Sequence, residues 1–361
     1  MNSKLRIAFV VDPLVPLGGA EKVLFAALEA LPQADIFTLV YNKPVFTDTP
    51  LASRDIKTSR LDSFPLVRHY HRYLLPFMPA AVERLDLRAY ETIVSFNYAV
   101  ANGARNHNGA RHVSYTHTPM RYAWTDLNIN GTRSHKNRLV DAYMRRFRTW
   151  DKKAASRIHA IATNSHNVSQ RIHLAYGREA RVIYPPVETD RFHGSYAREN
   201  YFVTVVRLVK HKRVDLLIRA FNQLNLPLLI IGDGPELPRL KRMANSNVKL
   251  LGYQSDEKVI ELLGKARAFV CAAEEDFGIA IVEAQAAGCP VIAYGAGGAR
   301  ETVIEDVTGL FFQEQTVESV MEAVQRFENN SKSFSTAPIV QNSQRFSKYR
   351  FVREFQEFVE S

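Results

Sequence analysis

The 361-residue sequence has only two cysteines and no apolar run long enough to cross a membrane. Cys271 and Cys289 lie in neither metal-ligand nor redox spacing, so we expect both to be buried and reduced, as in cytosol. The short apolar run 5–11 leads into Asp12 and Pro13, which predicts a first β-strand instead of a signal peptide. If the protein works at a membrane, we therefore expect it to lie on the membrane surface.

The sequence also lacks a nucleic-acid recognition motif of the usual types and a convincing carboxylate pair for Mg²⁺ or Mn²⁺. Its formal net charge of +10 is unevenly distributed. Residues 1–185 contain 26 Lys and Arg against 14 Asp and Glu, whereas the remainder contains 21 against 23. This asymmetry predicts an anionic partner for the first half, either nucleic acid or the anionic face of a membrane. Because no recognition motif is present, we favour the membrane.

Length and composition, with 46% hydrophobic and 23% charged residues, predict a globular protein of two domains. The clearest break is Tyr184-Pro185-Pro186, since two prolines after a strand disfavour both helix and sheet. We therefore predict domains over 1–185 and 186–342, and an aromatic-rich C-terminal helix over 343–361 that packs back toward the first domain.

Strand-like runs alternate with helical patterns in both halves, which predicts two doubly wound α/β domains with mostly parallel sheets. Two such domains joined by a short hinge are expected to face each other across a cleft. The predicted strands are 6–11, 35–40, 92–96, 112–115, 160–163, 181–184, 202–206, 228–231, 248–251, 269–272 and 290–293, and the predicted helices of the second half are 213–224, 236–244, 256–266 and 278–287.

The stretch from Glu275 to Glu283 follows a predicted strand and opens a helix through Phe277, Gly278 and Ile279. This places it at the carboxyl edge of a parallel sheet, where ligands bind. Carboxylates accept hydrogen bonds from hydroxyl groups, and the free amides of a helix N-terminus bind anions. The stretch therefore predicts a site for a ligand with hydroxyls and an anion, such as a sugar nucleotide.

Two kinds of strand-to-helix turn are candidates for binding the phosphates. Arg207 and Lys212 lie in a basic turn before a helix, where they would hold a diphosphate, although a solvated basic turn is the alternative. Gly-Gly pairs occupy equivalent turns and would admit a ligand to the backbone, although tight turns explain them equally well. These glycines are Gly18, Gly19, Gly297 and Gly298.

His117 follows a predicted strand and precedes a Thr-Pro turn with Arg121. A histidine at the carboxyl end of a strand beside an arginine favours a functional over a structural role.

Two segments of the first half interleave basic and aromatic residues, as an interfacial membrane surface does. One lies within 64–90 and includes Arg68, Arg72 and Phe77, and the other spans 145–153 with Phe147 and Trp150. The alternative for either segment is a solvated basic face whose aromatics turn into the core. The two segments together with the charge asymmetry favour membrane contact.

Across essentially its whole length, the sequence resembles the retaining GT-B glycosyltransferases of family four, with two Rossmann-like domains. The resemblance rests on Gly18-Gly19, His117, Arg207 with Lys212, Glu275-x7-Glu283 with Phe277-Gly278, and Gly297-Gly298 with Glu301. The stretch 117–124 further resembles bacterial mannosyltransferases of O-antigen and other surface polysaccharides. This narrower match rests on fewer residues.

The resemblance implies that Arg207 and Lys212 bind the donor diphosphate, with the Gly19 amides approaching it from the first, acceptor-binding domain. It implies that Glu283 holds the ribose, that Glu275 and the amides after it hold the donor hexose, and that His117 lies beside that hexose. The implied activity is metal-independent hexosyl transfer, most simply from GDP-mannose to a lipid-linked glycan on the inner face of the cytoplasmic membrane. UDP-glucose, UDP-galactose or UDP-N-acetylglucosamine as donor, and a non-catalytic binding protein, remain alternatives.

Overall fold

Two parallel β-sheets, each in its own structural unit, form the framework of the chain. The computed structural model describes residues 6–124, 138–192 and 197–361. The first unit consists of residues 1–184 together with 351–361, and the second consists of 185–350. The division thus falls at the pair of prolines after the last strand of the first unit.

The sheet of the first unit has seven strands in the order β3-β2-β1-β4-β5-β6-β7, and every neighbouring pair is parallel. Residues of the central strand β1 alternate between two cores: Phe9 packs on one face of the sheet and Ala8 and Val10 on the other. The strands are β1 Ile7–Val11, β2 Asp35–Thr38, β3 Ile56–Thr58, β4 Thr92–Asn97, β5 Arg111–Thr116, β6 Ala160–Thr163 and β7 Arg181–Val182.

Helices cover both faces of this sheet, as the connections of a parallel sheet require. They are α1 Gly19–Ala30, α2 Val67–Tyr70, α3 Met78–Glu83, α4 Arg121–Trp124, α5 Arg138–Ser156 and α6 His166–Tyr176.

The sheet of the second unit has six parallel strands in the order β10-β9-β8-β11-β12-β13. Its strands are β8 Phe202–Val205, β9 Leu228–Ile231, β10 Val248–Gly252, β11 Ala268–Cys271, β12 Val291–Tyr294 and β13 Gly309–Phe312. Its helices are α7 Val214–Leu224, α8 Leu237–Met243, α9 Asp256–Lys265, α10 Ile279–Ala286, α11 Ala299–Thr302, α12 Val317–Asn330 and α13 Thr336–Gln344.

The last helix, α14 (Lys348–Glu360), contributes aromatic residues to the core of the first unit. Phe355 packs against Phe9 and Phe96, with ring centroids 6.3 and 5.8 Å away, and Phe351 packs against Tyr115 at 5.8 Å. The helix begins five residues after the predicted start at 343, because α13 occupies the chain up to Gln344. Residues up to Arg350 belong to the second unit.

The predicted fold class is confirmed, since the chain is α/β with two all-parallel, Rossmann-like sheets. The sequence prediction missed β3, which has only three residues at the sheet edge, and β13, which begins with a glycine. Both cysteines are buried, as expected. No helix in the described part of the chain is long and apolar enough to cross a bilayer.

Candidate functional site

The carboxyl edge of the second sheet gathers most of the predicted site residues. Strands β8, β11 and β12 are neighbours in the sheet and run parallel, so the loops after them emerge at one edge. The loop after β8 carries Lys212, the loop after β11 carries Glu275, and the loop after β12 carries Gly297 and Gly298. Residues that are up to 86 positions apart in the chain therefore meet here.

Lys212 and Glu275 form an ion pair, with the Lys212 Nζ 2.5 Å from the Glu275 Oε2. Their side chains are 21% and 17% exposed. Such a partly buried pair is less screened than a surface pair, and it remains open to solvent. Of the predicted ligand-binding charges, these two are thus brought into direct contact.

The loop after β11 is fastened to the loop after β12 through Glu275. Its carbonyl accepts a hydrogen bond from the Gly298 amide at 2.7 Å, and Glu275 and Gly297 form an isolated parallel bridge. A Cβ atom on Gly298 would lie 2.3 Å from the Phe277 Cα, so only glycine permits this approach. The contact between the two loops therefore accounts for a glycine at 298, where the sequence suggested contact with a ligand.

The start of α10 is shaped by Gly278, whose φ of 94° lies in the left-handed region. Before it, Phe277 is buried against Phe346, with ring centroids 5.3 Å apart. Ile279 is the first helical residue, and Glu283 follows one turn later as a partly buried side chain. The second carboxylate thus lies where the sequence placed it, about one turn into the helix.

Arg207 is exposed and forms no ion pair with any residue that the structure describes. Its loop is held by the loop after β9: the Leu208 amide donates to the Asp233 carbonyl at 2.9 Å. A Cβ on Gly232 would lie 2.0 Å from the Val206 carbonyl oxygen. The absence of a side chain at Gly232 therefore admits the backbone of the Arg207 loop.

In the first unit, Gly18 caps α1, Gly19 is its first residue, and both are exposed. The buried carboxylate of Glu21 lies close to the turn, and a Cβ on Gly18 would lie 3.3 Å from its Oε2. Burial raises the pKa of this carboxyl to about 7. An anion that approaches the Gly18 amide therefore meets a carboxyl group already in place. A glutamate three residues after the N-cap is a sequence signal that could have pointed to this position.

His117 follows β5 directly and is nearly buried. Its backbone amide donates to the Asn97 carbonyl at 2.8 Å, and its ring lies 5.2 Å from Tyr115 and 6.4 Å from Tyr98. The backbone of His117 is therefore fixed at the carboxyl edge of the first sheet, and its imidazole packs beside two tyrosine rings. Gly18, Gly19 and His117 belong to the first unit, and the other predicted site residues belong to the second.

Asp12, at the end of β1, was missed as a candidate residue. Its fully buried carboxylate accepts hydrogen bonds at 2.6–3.0 Å from four consecutive amides. The donors are the backbone amides of Tyr98, Ala99, Val100 and Ala101. Burial raises the pKa of Asp12 to about 6, although these hydrogen bonds lower it. The carboxylate thereby fixes the loop that carries Tyr98 beside His117.

The two basic and aromatic segments differ in exposure. Phe147, on α5, is buried, and the Trp150 Nε1 donates to the Glu83 carboxylate at 2.8 Å, so the aromatics of 145–153 pack inward. The membrane interpretation of these two side chains is therefore wrong. By contrast, the segment 64–77 exposes five large side chains and contains no Asp or Glu. They are Phe64, Leu66, Tyr70, Tyr73 and Phe77.

Among the described residues, no group of three or more His, Cys, Asp or Glu side chains has the geometry to hold a metal ion. Lys212 is a cation in direct contact with Glu275, and Arg207 lies five residues before it in the same loop.

Two family models together match most of the chain. Residues 17–191 match Glycosyltransferase Family 4, and residues 188–348 match Glycosyl transferases group 1.

Among curated proteins, the chain is similar to the GDP-mannose-dependent alpha-(1-6)-phosphatidylinositol monomannoside mannosyltransferase of Mycobacterium tuberculosis. The two are 32% identical over 186 residues, which cover 43% of this chain and 48% of that protein. An uncharacterized glycosyltransferase of Methanocaldococcus jannaschii is 30% identical over 47% of this chain and 49% of its own length. The chain thus spans about half the length of the curated relatives it matches.

Among solved structures, the fold is similar to that of Anabaena HepE in complex with UDP-glucose. The TM-score is 0.74 at 18% identity, covering 98% of this chain and 99% of HepE. Sucrose-phosphate synthase from Thermosynechococcus elongatus gives a TM-score of 0.78 at 17% identity, over 98% of both chains. These likenesses show that the two sheets have the GT-B architecture.

Proposed function

We propose that this chain, which carries a Glycosyltransferase Family 4 domain followed by a Glycosyl transferases group 1 domain, transfers a hexose from a nucleotide sugar to a lipid-linked glycan. The observation that carries the proposal is the partly buried Lys212–Glu275 pair at the carboxyl edge of the second sheet. A cation and a carboxylate side by side match a ligand in which a phosphate adjoins a polyhydroxylated ring.

Different side chains of the second unit bind different parts of the donor. Lys212 and Arg207 offset the charge of the diphosphate, Glu275 accepts hydrogen bonds from the hexose hydroxyls, and Glu283 accepts them from the ribose. The backbone around them, Phe277 to Ile279 and Gly297, supplies amides, while the Gly298 amide is engaged by the Glu275 carbonyl. The roles of His117 beside the hexose, and of Gly18 and Gly19 at the phosphates, rest on the family resemblance.

The reaction that fits these groups is a retaining transfer. The bond between the anomeric carbon and the phosphate oxygen breaks, and its electron pair stays on the diphosphate, where Lys212 and Arg207 stabilise it. The acceptor hydroxyl attacks the same face of the sugar, and its proton passes to a phosphate oxygen. Glu275 and Glu283 then bind the donor and do not serve as the acid and nucleophile of a two-carboxylate glycosidase. The two cations take the part that a metal ion plays in other transferases.

The division of roles between the two glutamates predicts unequal kinetic effects. Glu283→Ala removes contacts to the nucleoside and should raise the donor KM more than it lowers kcat. Glu275→Ala removes contacts to the reacting sugar and should lower kcat more. Equal effects on both constants in both variants would contradict this assignment.

GDP-mannose is the donor we favour, because the similar mycobacterial protein is named as GDP-mannose-dependent. A UDP-sugar is the rival, since the structure of similar fold from Anabaena holds UDP-glucose. Thermal stabilisation and hydrolysis measured against GDP-mannose, UDP-glucose, UDP-galactose and UDP-N-acetylglucosamine distinguish them. Stabilisation by none of the four would contradict the proposed function.

The acceptor we propose is a lipid-linked oligosaccharide of bacterial surface polysaccharide or lipopolysaccharide, reached at the inner face of the cytoplasmic membrane. The exposed segment 64–77 supports this, because apolar and aromatic side chains there alternate with Arg68 and Arg72 without any carboxylate. We expect the protein to bind this surface peripherally. Sedimentation with vesicles tests it: equal binding to anionic and neutral vesicles would remove the electrostatic argument.

A further inference from the structure

Arg213, the residue after Lys212, has an unusual backbone conformation. Its φ of 52° and ψ of 33° lie in the left-handed region, where a residue with a Cβ is strained. It is also the N-cap residue of α7, and it makes no side-chain capping hydrogen bond. A glycine would adopt this conformation without strain, so the arginine side chain calls for a separate explanation.

The Arg213 side chain connects the basic turn to a distant part of the same unit. Its Nη1 donates to the Gln315 Oε1 at 3.3 Å, and its Nε lies 3.6 Å from an Asp215 carboxylate oxygen. Gln315 lies beyond β13, 102 residues further along the chain. The charged group therefore bridges two loops.

Gln315 uses the other end of its amide to hold the strand that leads to Glu275. Its Nε2 donates to the carbonyl of Ala272 at 2.7 Å, just past the end of β11 and three residues before Glu275. One side-chain amide thus accepts from the residue next to Lys212 and donates to the backbone that leads to Glu275. The Gln315 amide therefore contacts a chain neighbour of each member of the Lys212–Glu275 ion pair: Arg213 next to Lys212, and Ala272 three residues before Glu275.

We propose that Arg213 and Gln315 are positioning residues that fix the spacing between Lys212 and Glu275, a role that rests on the donor site proposed above. Neither side chain needs to touch the donor for this. Without the brace, the Lys212 turn and the Glu275 loop would be connected through the ion pair alone, and the donor would bind at the cost of ordering them. The strained conformation of Arg213 is then maintained for its side chain.

The test is calorimetric titration with GDP and with UDP of the full chain and of three variants. Gln315→Leu removes both hydrogen bonds at similar volume, and we expect a three- to tenfold loss of affinity for the nucleotide that the parent binds, the size expected for one hydrogen bond. Arg213→Gly should weaken binding similarly while its melting temperature stays at or above that of the parent, because glycine relieves the backbone strain. The double variant should lose no more than the larger single effect, since both changes break one brace.

Asn247→Leu is the matched control. The Asn247 Nδ2 also donates to backbone carbonyls, those of Phe221 and Leu226, but it lies just before β10, at the opposite edge of the same sheet. This variant should lower the melting temperature and leave nucleotide affinity unchanged. Parent-like affinity in both Gln315→Leu and Arg213→Gly, or additive losses in the double variant, would overturn the brace while leaving the donor site intact. Failure of the parent to bind either nucleotide would instead overturn the proposed donor site.

Discussion

Each unit contains its own all-parallel sheet, but the two units place their carboxylates differently. The first unit buries Asp12, Glu21 and Asp151, and burial raises the pKa of each to about 6 or 7. The second unit instead keeps Glu275 at the edge of its sheet, part-exposed and paired with Lys212. A carboxyl group that is sealed within the fold affects stability and its dependence on pH, whereas one at the sheet edge is available to a ligand. The following variants test that contrast.

Lys212→Ala should have the largest effect. Removing the cation deprives the departing diphosphate of its stabilisation, and we expect sugar transfer to fall about 100- to 1,000-fold while the melting temperature changes little. The measurement is initial-rate transfer from the donor that the nucleotide-sugar panel identifies. Lys210→Ala, in the same turn and exposed, is the control and should keep most of the activity. Full activity of Lys212→Ala would contradict the site.

Asp12→Ala should act on stability instead. Four consecutive amides lose their acceptor, and we expect the free energy of unfolding of the first unit to fall by about 3 kcal/mol. Denaturation followed by tryptophan fluorescence reports on this unit, because both tryptophans, Trp124 and Trp150, lie in it. Asp48→Ala, at an exposed position, should change it by less than about 0.5 kcal/mol. A similar loss in both variants would show that the four hydrogen bonds accepted by Asp12 do not stabilise the first unit.

Asp151 should give the first unit an unusual pH dependence. Its carboxylate accepts from the Trp124 Nε1 at 2.7 Å and the Tyr176 hydroxyl at 3.0 Å, and burial raises its pKa from 3.8 to about 7. Between these values the folded protein holds a proton that the unfolded chain releases. The free energy of unfolding should therefore fall by roughly 1 kcal/mol per pH unit for this group as pH rises from about 4 to 7.

Asp151→Asn should remove the contribution of Asp151 to the pH dependence of the free energy of unfolding, and the contributions of Asp12 and Glu21 should remain. Urea denaturation at several pH values, again followed by tryptophan fluorescence, measures it. A variant whose stability depends on pH as steeply as the parent's would show that Asp151 does not titrate in this range.

The combined substitution Tyr73→Ser and Phe77→Ser should have the smallest effect. These side chains are 80% and 61% exposed, so their loss should leave the fold intact while weakening partition into anionic vesicles about fivefold. Vesicle sedimentation is the measurement. Tyr253→Ser, in the second unit and 81% exposed, should bind as the parent does. If the control and the double variant lose binding alike, segment 64–77 has no special part in membrane contact.

The local features of the site could be predicted from sequence, because they follow from chain neighbours. A strand, a loop and a helix start at Glu275 to Glu283 are set by apolar runs and Gly278, and they fix which sheet edge the carboxylates occupy. The same holds for Lys212 ahead of α7.

Features that depend on distant partners could not be predicted. Asp12 meets amides 86 to 89 residues away, and Gln315 meets residues 102 and 43 positions away. Likewise, segments 64–77 and 145–153 both interleave basic and aromatic residues, and the inward packing of Phe147 and Trp150 became visible only in the structure. Sequence periodicity contains no information on such contacts, which the assembled sheet determines.

The most direct test of the donor site is calorimetric titration of the parent and of Glu275→Gln with GDP-mannose and with GDP. Glutamine keeps the size of the side chain but removes the negative charge that pairs with Lys212 and, in the proposed complex, accepts hydrogen bonds from the hexose hydroxyls. We predict saturable binding by the parent, and a variant that loses at least tenfold in affinity for GDP-mannose but much less for GDP, because Glu275 contacts the sugar. Equal affinity of both proteins for GDP-mannose would contradict the assignment of Glu275 to the sugar, and no saturable binding by the parent to either ligand would contradict GDP-mannose as its donor.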